Sequence, residues 1–197
     1  MAGSGDLGRA QVVTAPPLLL ASTSPQRRAI LEQLGLPFDI VAPHYDETGD
    51  DPLEHAAGKA RSVEGGDRPV LGVDTIVRCN GRVLGKPSHV GEAEEMLETL
   101  SGREHEVVSG LCLRTPHWEE LHTETTRVAF RPLTARDIAS YIEAGEWEGR
   151  AGAYAIQGRG AVLVERIDGD YLNVVGLPAA LLVRLLAERF AGLYGLG

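Results

Sequence analysis

The stretch VLGVDTIV, residues 70–77, constrains the fold more than any other. It is a strongly β-type run interrupted by Asp74, whose neighbours all favour burial, and aspartate is a poor strand former. An ionised carboxylate taken out of water without a partner is costly. The chain therefore needs a sheet that accepts this strand and, beside it, a cation, a metal or strong donors for one charge. The run spans 69–79 and ends at Asn80-Gly81, the strongest hairpin signal in the sequence. Asp74 reads as a metal ligand or general base; a structural aspartate bonded to loop backbone is the alternative.

The elements around this strand are mixed. LLLA (18–21) reads as a short buried strand, followed by a polar loop and a helix with Ser24 as N-cap, Pro25 at its first position and Gly35 just past its end. A strand at 38–42, a helix at 53–63, and a helix at 92–100 with four glutamates on a solvated face come next. Strands are expected at 105–115, 119–130 and 161–167, and helices at 134–145 and 178–190. Thr134 and Asp137 form the signature of a capped helix start. Hairpins occur beside crossovers, so the expected class is mixed α/β, not a purely parallel doubly wound sheet. Residues 1–17 read as a flexible leader and 18–197 as a single domain.

Composition excludes several functions. A net charge of −9 argues against a nucleic-acid binder, although a small anion held by local Arg and Lys remains compatible with it. Cys79 and Cys112 lack CxxC spacing, which fits a reducing, cytoplasmic setting. The six histidines show no HxxxH or HExxH pattern, so no histidine-built metal site is expected. No apolar run is long enough to span a membrane, and the first residues lack a signal-peptide core.

Other chemistry-bearing segments are weaker when taken singly. ASTSPQRR (21–28) places hydroxyls and arginines at a helix start, which suits an anion. GKP (85–87) sets Lys86 in a rigid turn, and HYDETGDDP (44–52) is an acidic loop. AGAYAIQG (151–158) is neutral and offers one long polar group, Gln157, a carboxamide that reads hydrogen-bonding edges and does not titrate. Its glycines are expected to let backbone approach a ligand. Neither GxxxxGK[ST] nor a properly placed GxGxxG is present.

In order, LLLASTSPQRRAILEQLG, Asp46-Glu47, GVDTIV, GKP, AGAYAIQG and GDYLNVVGLP resemble the blocks of the Maf family of nucleoside triphosphate pyrophosphatases, from about Leu18 to Phe190. The resemblance implies a two-lobed fold with a long curved mixed sheet and a central cleft, similar to inosine triphosphate pyrophosphatases. It implies hydrolysis of a nucleoside triphosphate to monophosphate and pyrophosphate with a divalent cation, Mg²⁺ or Mn²⁺, and a homodimer. Asp74 would be the proton acceptor, with Glu47 and Lys86 also catalytic and Asp74 and Glu47 sharing the metal. Ser22, Ser24, Arg27 and Lys59 would bind the substrate. Thr75 and Gln157 match the branch acting on dTTP and UTP. Gln26 replaces an arginine usual at that specificity position, and Arg150 replaces a lysine. The alternatives are the family's 7-methyl-GTP branch and a non-catalytic nucleotide-binding regulator of division.

Overall fold

The computed structural model describes residues 15–195; residues 1–14 of the expected leader lie outside them. In chain order the elements are β1 (Leu18–Ala21), α1 (Pro25–Gln33), β2 (Phe38–Val41), α2 (Pro52–Arg61), β3 (Val70–Cys79), β4 (Arg82–Leu84), α3 (Val90–Leu100), β5 (Glu104–Thr115), β6 (Trp118–Phe130), α4 (Ala135–Glu143), β7 (Val164–Asp168), α5 (Tyr171–Val175) and α6 (Ala179–Phe190). The strands form one seven-stranded mixed sheet in the order β2-β1-β3-β5-β6-β7, with β4 paired to β3. β1 runs parallel to β2 and β3, and the other pairs are antiparallel.

The pairing of β3 locates the site. On one side it pairs with β5 along almost its whole length. On the other it meets β1 only at Val70 and Leu71, and β4 only from Val77 to Cys79. Between them, residues 72–76 form an open edge where β1 has ended and β4 has not begun. A gap at the carboxyl end of a parallel strand is where open α/β sheets take ligands. β3 also passes between two apolar cores across this gap. Leu71 and Val73 pack with Leu18, Leu20, α1 and α6, whereas Val77 and Cys79 pack with α3, α4, Phe130 and Tyr154. Asp74 and Thr75 occupy the seam.

A third cluster, built from Ala56, Ala57, Ala60 and Val63 of the α2 region against Leu19, Ala21, Val70 and Cys112, holds α2 on the sheet. The helix lies low because two strand positions under it carry no side chain. A Cβ on Gly72 would stand 2.1 Å from the Ala56 carbonyl oxygen, and one on Gly110 2.2 Å from that of Pro52. Gly110 is the cross-strand partner of Asp74, so the Asp74 carboxylate emerges on the face that α2 covers.

The capping chemistry agrees with the sequence. Ser24 caps α1 with Pro25 at its first turn, and Thr134 and Asp137 form a reciprocal capping box on α4. The Asn80-Gly81 hairpin has both central residues at positive φ, 51° and 75°, as a type I′ turn requires. Two segments differ. The expected strand at 161–167 begins as a 3₁₀ helix over Arg159–Leu163, and only Val164–Asp168 pairs with β6. Gly160 sits against the Ala155 carbonyl, so the chain coils there before extending. GDYLNVVGLP also contains a short helix, α5, capped by Asp170 and stopped at Gly176. Among the described residues no helix is long and apolar enough to cross a membrane.

Candidate active site

The open edge of β3 is the floor of a cleft of about 340 Å³, within the range of about 300–1,000 Å³ usual for small-molecule sites. Ser22, Ser24, Gln26, Arg27, Glu47, Lys59, Asp74, Thr75, Lys86 and Gln157 all line it, so the residues singled out from the sequence meet at one place.

Asp74 is 8% exposed, and its charge is met from α2. Lys59 Nζ donates to Asp74 Oδ1 at 2.6 Å, and the His55 Nδ1 to Asp74 Oδ2 distance is 3.3 Å. Positions 55 and 59 are one helical turn apart and share a face, which is why a single helix supplies both groups. Burial pushes the Asp74 carboxyl upward, but the charge and hydrogen bond of Lys59, the charge of Arg27 and the His55 contact outweigh it. The net position is below the usual carboxylate range, so Asp74 is ionised at working pH. Lys59 Nζ also reaches Glu47 Oε1 at 2.6 Å and bridges the two carboxylates. Glu47 sits in the acidic loop with its side chain half exposed.

On the other side of β3, Arg27 braces the hydroxyl loop. Its Nε donates to the Gly176 carbonyl at 2.9 Å, and its terminal nitrogens donate to Ser22 Oγ at 3.1 Å and Thr75 Oγ1 at 3.4 Å. Burial lowers the Arg27 guanidinium from its ordinary value, and Asp74 and Glu47 oppose the shift; a guanidinium stays charged in proteins. Ser24 Oγ donates to the Gln26 carboxamide oxygen at 3.0 Å, which leaves the Gln26 amide group as its outward face. The Thr75 hydroxyl is engaged with Ser109 Oγ at 2.8 Å as well as with Arg27.

Lys86 is exposed and has no ion-pair partner among the described residues. Its turn is fixed by Gly152 N donating to the Gly85 carbonyl at 3.0 Å. Gln157 is exposed at the cleft mouth and also borders a more apolar hollow of about 640 Å³ lined by Ala29, Ile30, Tyr171 and Leu172. Two of the glycines beside it are closely packed. A Cβ on Gly152 would press on Val77, and one on Gly158 on the Glu146 carboxylate.

Sequence reasoning missed His55, 19 residues from Asp74 and brought to it only by α2. It also missed Asn173, fully buried, whose Nδ2 donates to Val107 O and Thr126 Oγ1, both at 3.1 Å. Its signal lay in the GDYLNVVGLP block. Arg150, noted only as a replacement, lines the cleft with its Nε buried and unpartnered among the described residues.

Glu47, His55 and Asp74 each offer one ligand atom, all within 4.8 Å of one another. Two carboxylates that can only accept suit a hard divalent cation, so the donor set fits one. Acidic oxygens at the centre, hydroxyls at a helix start and a rim of Arg and Lys are the equipment of a phosphate-handling hydrolase. Residues 17–189 match the family described as Maf-like protein, and the chain belongs to the Maf family. It is 49% identical over 181 residues to a dTTP/UTP pyrophosphatase of Moorella thermoacetica, covering 86% of this chain and 93% of that protein. It is 47% identical to a dTTP/UTP pyrophosphatase of Symbiobacterium thermophilum, covering 87% and 93%, and 45% identical to one of Halalkalibacterium halodurans, covering 86% and 94%.

Proposed function

We propose that this chain hydrolyses dTTP and UTP to the monophosphate and pyrophosphate. The observation that carries the reading is the Glu47–Lys59–Asp74 group facing the Arg27-braced loop across one cleft, in a chain with 42–49% identity to proteins named dTTP/UTP pyrophosphatase. Water attacking the α-phosphorus gives up a proton and places charge on the phosphoryl oxygens. Asp74, ionised and held in one orientation by Lys59, accepts or directs that proton. Arg27, Lys86 and Arg150 surround the polyphosphate with positive charge, and Ser22 and Ser24 present hydroxyls at the start of α1. Glu47 and Asp74 would hold a divalent cation, Mg²⁺ or Mn²⁺, which when bound stabilises phosphoryl charge and acidifies its water. Gln157 meets the O4 and N3–H edge shared by uracil and thymine, and a base with the wrong pattern leaves a polar group unpaired. A homodimer and a cytoplasmic setting belong to the same reading.

Pyrophosphate release across a nucleotide panel with Mg²⁺ or Mn²⁺ tests it, on wild type and on Asp74→Asn. The expected result is dTTP and UTP as the best substrates and a loss of roughly 10²–10⁴-fold in the variant. Failure to cleave any triphosphate with either metal ends the reading. Preference for 7-methyl-GTP would move the chain to the family's other branch.

A further inference from the structure

We infer that His55 is itself a ligand of the cation site, binding through Nδ1, and that this nitrogen makes the site favour Mn²⁺ or Co²⁺ over Mg²⁺. The inference rests on the metal-assisted reading above and adds a third donor to the two carboxylates.

His55 is 5% exposed, so each of its ring nitrogens needs a partner. Nε2 lies 3.2 Å from the Thr48 carbonyl oxygen. A carbonyl only accepts, so Nε2 carries a hydrogen and donates it. In the neutral ring Nδ1 is then a bare lone pair. It faces Asp74 Oδ2 at 3.3 Å, an oxygen of an ionised carboxylate that also only accepts. Two acceptors facing each other in a site shielded from water require a proton or a metal ion between them. Lys59 does not meet the need, because it binds the other carboxylate oxygen, Oδ1.

A metal ion meets it with little movement. Metal–ligand bonds of about 2.1 Å at right angles place neighbouring ligand atoms roughly 3 Å apart, close to the observed 3.3 Å. Glu47 completes a set of three within 4.8 Å. The hydrogen bond from Nε2 to Thr48 is the anchor that metal-bound histidines usually have, one ring nitrogen on the ion and the other on a backbone carbonyl. It also ties the ring to the residue next to Glu47. The consequence for selectivity is chemical. Mg²⁺ takes oxygen ligands and is held poorly by imidazole, whereas Mn²⁺ and Co²⁺ accept nitrogen more readily. The competing arrangement is an imidazolium that donates to both Thr48 and Asp74, and it contains no metal–nitrogen bond.

Pulsed electron paramagnetic resonance of Mn²⁺, bound to the enzyme with α,β-methylene-dUTP, separates the two. Enzyme containing natural histidine should show the modulation of a directly bonded ¹⁴N, and enzyme grown on ¹⁵N-histidine should show ¹⁵N in its place. His55→Gln and His55→Leu should lose the coupling. Their Mn²⁺ affinity should fall about 10-fold or more, while Mg²⁺ affinity falls by a clearly smaller factor. If a variant fails to fold, the isotope comparison in wild type still decides. Absence of nitrogen coupling in a wild type that cleaves dTTP with Mn²⁺ overturns the inference and leaves the function standing. A wild type that cleaves no triphosphate with any metal overturns the function itself.

Discussion

Gly72→Ala should disarm the site without touching a catalytic group. The new methyl would stand 2.1 Å from the Ala56 carbonyl and 2.9 Å from both Ala60 Cβ and Ala60 N, where ordinary contact begins near 3.4 Å. Backbone lies on both sides, so no side chain can swing away, and α2 must lift by about 1.3 Å. Overpacking of this kind costs about 1–3 kcal/mol, which for a chain of this length lowers Tm by roughly 2–4 °C for each kcal/mol. The lift carries Lys59 with it, and its 2.6 Å bonds to Asp74 and Glu47 stretch beyond hydrogen-bond range. A displacement of about 1 Å near reacting groups can cost roughly 10²-fold in rate. The assay is pyrophosphate release from dTTP beside thermal melting, with Gly91→Ala as the control. Gly91 sits in α3, its nearest neighbour would be 3.5 Å from a Cβ, and a helical Gly→Ala change there should stabilise by about 0.4–1 kcal/mol. If Gly72→Ala melts and turns over like wild type, the low seat of α2 is not what delivers Lys59.

Gln157→Glu should lower kcat/KM for UTP and dTTP at least about 10-fold, because a carboxylate cannot donate to the O4 edge; unchanged pyrimidine preference counts against the reader role. Arg27→Lys should reduce thermal stability and activity together, since a single ammonium cannot span Gly176 O, Ser22 Oγ and Thr75 Oγ1; a fully active variant of wild-type stability would refute the brace. His105 is buried between Phe130 and Tyr154 with Nε2 2.9 Å from the Tyr154 hydroxyl and Nδ1 unpartnered among the described residues. Burial lowers its pKa from 6.5 to about 4. In the unfolded chain the ring takes a proton near pH 6.5, so folded stability is complete above that pH and declines as pH falls toward 4, by about 3 kcal/mol in all. Urea unfolding of wild type and His105→Leu at pH 7 and pH 5 measures it; parallel losses in both proteins would remove His105 as the source.

Much of the site was legible because its residues break local rules. Asp74 is a charge inside a strand pattern, and the neutral AGAYAIQG stretch is an uncharged gap in a charged chain. The caps at Ser24 and Thr134 and the Asn80-Gly81 turn follow from backbone preferences and appear where expected. What stayed hidden depends on how elements are stacked. Nothing near His55 in sequence marks it, since its meaning comes from a helix resting on Gly72 and Gly110. In a strand pattern those glycines read as weak points, whereas in the folded chain they set the depth of α2. The short helix α5 was missed because five residues are too few to show a helical period. The 3₁₀ turn ahead of β7 was hidden because Ala161 and Val162 look like strand residues, although Val162 is 67% exposed.

The bond from Arg27 to the Gly176 carbonyl spans 149 residues. The guanidinium has no Gly176 to clamp until another 149 residues have been made. Closing so long a loop costs entropy that only the later contacts repay. During synthesis the Ser22–Arg27 loop therefore precedes its brace. Arg27 gains its full set of partners only once α5 has docked against the loop that Ser22 and Arg27 belong to.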